Sequence, residues 1–246
     1  MKKLISFTEA INNTFQQIME KDSSVICFGL GVDDPKAIFN TTKGLKEKFG
    51  SERVFDTPTS EAALTGIAIG LSLNNFKPVL VHQRLDFFLL TMDQLVNSAA
   101  KWYYMFGGQK SVPIVIRVIM GRGWGQGPTH SQNLQSWFAH IPGLKVVMPS
   151  NPSNAKGLLA SAIADPNPVI FMEHRWLHES LMKVPDKLFY TPIGEAEIIK
   201  KGSDISIIAM SFITTEAIKA IDLLEKNNVS CDLIDLLSIK PIDWST

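Results

Sequence analysis

Three stretches of the sequence set reactive side chains where a backbone can come close to a ligand or a buried site. In FDTPTSEAALTGIAIG, residues 55–70, Glu61 heads a run built almost wholly of Ala, Gly, Leu, Ile and Thr. Thr59 or Ser60 is a candidate N-cap, so Glu61 falls in the first helical turn, where the helix dipole favours a carboxylate. That alone accounts for an acid at this position. The run carries no second charge through Leu73, however. A helix there is expected to be buried all round, and a carboxylate at its mouth is then partly desolvated, with a raised pKa and the capacity to hold or pass a proton. In GRGWGQGPTHSQ, residues 121–132, glycines at 121, 123, 125 and 127 let the backbone approach a ligand. The spacing is not that of G-x-G-x-x-G and no G-K-[ST] follows, so this is no phosphate loop. Its useful side chain is His130, a general acid or base near neutral pH, or a satisfied polar residue at a helix start. His174 and His178 in EHRWLHES have the spacing of two metal ligands on one helix face. No third ligand is evident nearby, and an exposed connection is the simpler reading.

The elements around these residues alternate. Ser6 and Glu9 form a capping box, and Phe7, Ala10, Ile11, Phe15 and Ile18 share one helical stripe. Short apolar runs then read as buried strands at 25–30, 78–82, 112–119, 144–149 and 168–173. Between them lie helical patterns at 60–73, 87–106, 131–141 and 151–165, the last with Asn151 or Ser153 as N-cap. This alternation predicts an α/β fold, a parallel sheet with helices on both faces, and places the 121–132 loop at the carboxyl end of a strand, where open α/β sheets bind ligands. The aromatic group Trp102, Tyr103, Tyr104 and Phe106 suits either a core or a subunit interface.

The pattern loosens over residues 176–192, which read as a linker after a first domain of residues 1–175. Residues 193–246 then hold a strand pair around Lys201 and Gly202, a helix and a further strand. One such unit is too little to bury both sheet faces, so this second α/β domain is expected to be partial. Across the 246 residues, 24 basic groups balance 24 acidic ones without a long run of one sign, which disfavours nucleic acid. No apolar run reaches membrane-spanning length, and the N-terminus lacks a signal h-region. Cys27 and Cys231 lie far apart in apolar stretches, as buried thiols in a reducing compartment would, and the expected location is cytoplasmic.

Five segments in this order and spacing, FDTPTSEAALTGIAIG, MDQLVNSAAKWYYMFGGQ, VPIVIR, THSQNLQSWFAHIPGLKVVMPSNPSNAKGLL and NPVIFMEH, resemble the beta subunit of the decarboxylating component of 2-oxo acid dehydrogenases (pyruvate dehydrogenase-like), related to transketolase. The resemblance covers essentially the whole chain. It implies a thiamine-pyrimidine-binding domain followed by a transketolase C-terminal-type domain, with thiamine diphosphate shared with an alpha subunit in a heterotetramer. It also implies that a 2-oxo acid is decarboxylated and its acyl group passed to a lipoyl-bearing acyltransferase. Glu61 then matches the glutamate that hydrogen-bonds N1′ of the aminopyrimidine, and His130 the histidine lining the active-site channel. Phe87 matches an aromatic position beside the pyrimidine. Ile114, Ala162, Asp165 and Asn167 match positions that bind a structural potassium ion in some members. The chain has no G-D-G, so the magnesium and diphosphate motif is expected from the alpha subunit.

Two departures bear on the cofactor site. The first strand of the family ends in Gly-Glu-Glu or Gly-Glu-Asp; here FGLGVDD puts Leu30 and Gly31 at those places. After the third strand, VHQRLDFF brings His82, Gln83 and Arg84 near the cofactor in place of a glutamate and aromatics, and Arg84 could bind a carboxylate as a bidentate donor. Two alternatives follow: half of a split transketolase-like or acyloin-forming enzyme, and a non-catalytic assembly or regulatory subunit of the same fold.

Overall fold

In the computed structural model, residues 2–34, 36, 38–123 and 125–246 are described. Strand β1 (Lys2–Ser6) leads directly into α1 (Phe7–Lys21). The Ser6 hydroxyl accepts the Glu9 amide at 3.1 Å while the Glu9 carboxylate accepts the Ser6 amide at 2.7 Å, so the capping box is present. The predicted stripe faces inward, with Phe7, Ala10, Ile11, Phe15 and Ile18 all buried; burial of each large member contributes about 1.5–3 kcal/mol.

From there strands and helices alternate: β2 (Val25–Gly29), α2 (Leu45–Phe49), β3 (Val54–Asp56), α3 (Glu61–Leu73), β4 (Lys77–His82), α4 (Leu85–Phe88) and α5 (Ala100–Met105). They are followed by β5 (Val115–Met120), α6 (Gln135–His140), β6 (Lys145–Val147), α7 (Pro152–Ala164), β7 (Val169–His174) and β8 (Leu181–Pro185). The last part holds β9 (Glu197–Lys200), β10 (Ile205–Ala209), α8 (Phe212–Glu225), β11 (Cys231–Asp235) and β12 (Ser238–Lys240). A seven-stranded sheet runs β12-β6-β7-β5-β4-β2-β3, parallel except for β12. Helices α1 and α7 cover one face through Phe15 and Leu158, which share a core with Phe171 of β7. The other face is covered by α3 and α4 through Leu64, Leu85 and Phe88. The expected α/β class and helices on both faces are therefore present.

Several local expectations are corrected. The pattern at 87–106 is not one helix: a 3-10 turn (Leu89–Thr91) and a π turn (Asp93–Ala99) lie between α4 and α5. Buried residues fall three apart at 85, 88 and 91, then four apart at 91, 95 and 99. Tighter winding followed by wider winding keeps one face inward where a uniform period of 3.6 would rotate it away. The loose stretch at 176–192 contains β8, which pairs antiparallel with β1. It is held further by the Lys156 ammonium, which donates to the carbonyls of Pro185 and Asp186 at 3.0 and 2.9 Å. Strands β9 and β10 do not pair with each other; both flank β11 in a three-stranded sheet. Asn151, not Ser153, caps α7 by accepting the Asn154 amide at 2.9 Å. Cys27 and Cys231 are both buried free thiols, and burial pushes Cys27 up to about 12, against the opposing pull of Arg117.

Candidate functional site

The carboxyl ends of the parallel strands meet at one edge of the sheet, and chain reversal there needs glycine. Gly29 has φ +143° and passes so close to β4 that a Cβ would lie 2.2 Å from the Val81 carbonyl oxygen. Leu30, partly buried, donates its amide to that same carbonyl at 3.1 Å. At Gly31, φ is +76° and a Cβ would lie 2.0 Å from Gln83 Nε2 and 3.0 Å from Asp34 Oδ2. Gln83 thus occupies the space that an acidic side chain at 31 would need, a physical reason why both departures occur together. The Asp56 carboxylate, at the end of β3, accepts the amides of Gly31 and Val32 at 2.5 and 3.1 Å and fixes this turn. Sequence reasoning passed over Asp56, although an acid directly before Thr-Pro at a strand end is a turn signal.

Glu61 opens α3, with Ser60 at the N-cap position making no side-chain cap bond. Glu61 as a whole is 6 % exposed. Among the described residues no group donates a hydrogen bond or pairs in charge with the Glu61 carboxylate. A dipole-stabilised surface acid needs no such burial, and an orphaned carboxylate here fits a ligand that brings its own N–H donor. The helix behind it is not buried all round: Ala63, Gly66, Ile67 and Gly70 face outward, Ile67 being 54 % exposed. The exposed side is apolar because it carries no charged residue, so sequence alone does not distinguish it from a buried one.

Three contacts lay the glycine-rich loop onto the start of α4. The Arg84 guanidinium donates to Gln126 Oε1 at 2.6 Å, the Gln132 amide to Asp86 Oδ1 at 3.2 Å, and the His130 ring meets the Phe87 ring edge-on at 5.3 Å. Gly121, Gly123, Gly125 and Gly127 all have positive φ, which the loop path requires; Trp124 lies outside the described residues. Helix α3 packs on the 89–99 segment that follows Phe87. The structure therefore gathers Phe87, Arg84 and His130 at one edge beside Gln83, while Glu61 starts α3 after β3, on the same carboxyl side of the sheet. His82 is a correction: it does not line this edge but turns into the core against Phe88 at 5.1 Å, and burial lowers its pKa to about 3.

His178 is likewise not part of an exposed connection. It is 1 % exposed, stacked on Phe7 at 5.7 Å, with Nε2 3.4 Å from the Glu173 carboxylate. Glu173 in turn accepts a fork from Arg117 Nε and Nη2 at 2.5 and 2.9 Å. Burial alone would raise Glu173; the Arg117 charge and its two hydrogen bonds, with the His178 ring beside them, outweigh it and hold it down to about 2. This buried charge cluster went unforeseen, though an Arg in VIRVI and a Glu in FMEH, opposite charges in two predicted interior strands, were the available signal. Among the described residues no group of three or more His, Cys, Asp or Glu is placed to hold a metal ion, and no residue is assigned to magnesium.

The four positions matched to potassium fall in two hydrogen-bonded groups, Ile114 with Val169, and Ala162 with Asp165 and Asn167. The Ile114 carbonyl accepts the Val169 amide at 2.9 Å and the Ala162 carbonyl accepts the Asp165 amide at 3.3 Å. Asp165 accepts from Asn167 N and Nδ2 at 2.9 and 3.1 Å and pairs with the Lys145 ammonium. The one anionic donor of the set is thus already neutralised by the Lys145 side chain.

Residues 3–179 match the transketolase pyrimidine binding domain family, and residues 194–246 match the transketolase C-terminal domain family. The chain is 42% identical over 248 residues to the mitochondrial pyruvate dehydrogenase E1 component subunit beta-2 of Oryza sativa subsp. japonica, an alignment covering 99% of this chain and 66% of that one. It is 41% identical over 244 residues to the pyruvate dehydrogenase E1 component subunit beta of Acholeplasma laidlawii, covering 99% and 75%. The chain thus spans about two thirds to three quarters of the length of these relatives. Among solved structures it resembles a split gene transketolase, described as an inactive beta4 tetramer, with TM-score 0.79 and 20% identity over 97% of this chain and 73% of that one; that likeness bears on the fold.

Proposed function

The chain belongs to the transketolase-like beta subunits of thiamine-diphosphate-dependent 2-oxo acid dehydrogenases, and from that premise we propose that it decarboxylates a 2-oxo acid jointly with an alpha subunit and passes the acyl group to a lipoyl carrier. The single observation that carries this reading is the Glu61 carboxylate, buried at the carboxyl edge of the sheet without a donor of its own. When bound, thiamine diphosphate supplies the nucleophilic carbon and the electron sink that loss of carbon dioxide needs. Glu61 would hold the proton shared with N1′ of the pyrimidine, in a site dry enough for that bond to matter. Phe87 would flank the ring, and Leu30 and Gln83 would shape the floor beneath it. His130, kept in place by its edge contact with Phe87, would serve proton transfer at the channel.

The chain's partner in this proposal is an alpha subunit that brings magnesium and the diphosphate site, in a heterotetramer. The alternative of a non-catalytic assembly subunit is opposed by Glu61, since an acid buried without a partner destabilises a fold that makes no use of it. The deciding experiment titrates thiamine diphosphate and magnesium into the chain alone and into its complex with the alpha chain. Binding to the complex only is expected, together with a loss of about 10²–10⁴-fold in decarboxylation in the Glu61→Ala complex. Full turnover in that variant removes Glu61 from the mechanism; a stable complex that binds no cofactor favours the assembly reading.

A further inference from the structure

Between the two sheets lies a cavity of about 480 Å³ that shares no lining residue with Glu61, Phe87, Gln83 or His130. One wall is the carboxyl end of β5 and the segment just after His130; the other is the end of β10 and the start of α8. Two polar atoms in its lining are buried without a hydrogen-bond partner among the described residues, Ser211 Oγ and Gln135 Oε1. Ser211 is only 3 % exposed and sits at the N-cap of a 14-residue helix, yet its hydroxyl caps nothing. A native hydroxyl left idle in this position, where a cap ordinarily stabilises the helix, calls for a ligand to complete it. Its φ of +53° is a backbone conformation that a non-glycine residue holds only at a cost.

The charge around the cavity is of one sign. Arg122 lines it, the positive end of α8 points toward it, and among the described residues no acidic side chain is in the lining. His174, also in the lining, accepts the Trp176 amide at Nδ1 at 3.3 Å, which leaves the proton of a neutral ring on Nε2 as a donor. Its ring is stacked on Phe212 at 4.9 Å, so the first residue of α8 is locked to the end of β7. The apolar part of the wall includes Met148 from the main sheet side and Met210 from the three-stranded side.

We propose that this cavity is a binding site for a small carboxylate carrying an apolar body, its carboxylate held by Arg122 and Ser211 and its body lying between the two sheets. One guanidinium forks a carboxylate well, whereas a phosphate dianion without a second cation is poorly matched. Ser131 and Asn133, one and three positions after His130, line the same cavity, so an occupant touches the segment that follows His130.

The test is calorimetric titration of hexanoate into the assembled protein, with hexylamine and inorganic phosphate as comparison probes. Saturation by hexanoate at about 1 mM or below, the range open to so small a ligand, is expected, with at least tenfold weaker binding by both comparison probes. Arg122→Leu and Ser211→Gly should each weaken hexanoate at least tenfold and fivefold respectively while the circular dichroism spectrum stays unchanged; Gln135→Leu serves as a third variant if either fails to fold. Glu61→Ala and Arg84→Met should leave hexanoate binding as it is, which separates this site from the cofactor and substrate site. Absence of saturation, undiminished binding in Arg122→Leu, or a loss that follows Arg84→Met instead would overturn the proposal.

Discussion

Glu61 is 6 % exposed and its carboxylate has no donor among the described residues, so a ligand N–H can take the place of the little water that reaches it. Its burial and the wedging of Gln83 over Gly31 belong together: each shapes the same edge, and neither is explained by packing alone. Arg84 is a cationic residue of this edge. Its bond to Gln126 turns the guanidinium toward the glycine-rich loop, beside a cavity that it lines with Arg175 and Trp176. If Arg84 grips the carboxylate of the 2-oxo acid, Arg84→Met should raise KM about 10–100-fold, the equivalent of a charge-assisted hydrogen bond of about 1.5–3 kcal/mol, with kcat much less affected. Steady-state kinetics over a series of 2-oxo acids reads this directly, and an unchanged KM would remove Arg84 from substrate binding.

Where β11 meets α7, Asp235 is wholly buried and accepts the Ser150 hydroxyl and, at 3.5 Å, the Leu237 amide. Burial is the main reason its pKa rises to about 6, with the nearby Glu197 adding to it against the hydrogen bonds. The folded state therefore binds this proton more tightly than the unfolded chain does. The stability it contributes is fully present below the unfolded value near 3.8 and is lost as pH rises through about 6. At pH 7 the charge is a burden of at most about 3 kcal/mol. Asp235→Asn, which keeps the shape and the acceptor, should raise the melting temperature at pH 7 and flatten its fall between pH 4 and 6. Thermal denaturation across that range tests the sign; a destabilised variant with an unchanged pH slope would show that Asp235 does not carry the linkage.

At the scale of the molecule, the chain leaves large apolar side chains in water on the α3 and α5 side. Ile67 faces out from α3, and Tyr103, Tyr104, Met105 and Phe106 are exposed around the end of α5, Tyr104 by 88 %. This favours the interface reading of the aromatic group over the core reading for all but Trp102, which packs against the core. A patch of this kind is expected to be covered in the assembled enzyme. Ile67→Glu and Tyr104→Glu together should weaken assembly with the alpha chain at least tenfold and leave the isolated chain folded. Light-scattering mass against concentration and circular dichroism measure the two effects separately, and assembly of full affinity would place the interface elsewhere.

What the sequence determined by itself is local and periodic: the capping box at Ser6 and Glu9, the strand and helix alternation, and the glycine-dependent loop before His130 all follow from residue types at short range. The family motifs, too, were legible because they are contiguous. Tertiary structure decided what depends on residues far apart in the chain. The Arg117, Glu173 and His178 cluster exists only because β5 pairs with β7 and the chain after β7 folds back over Phe7. Residues 181–185 within the stretch at 176–192 became a strand because β1 offered them an edge, and the 87–106 segment changed its winding to keep one face on the core. Helix α3 shows the limit most plainly. With no charge after Glu61 its sequence marks no outward side, and only the packing of the whole fold chose which of its apolar faces would be left for a partner.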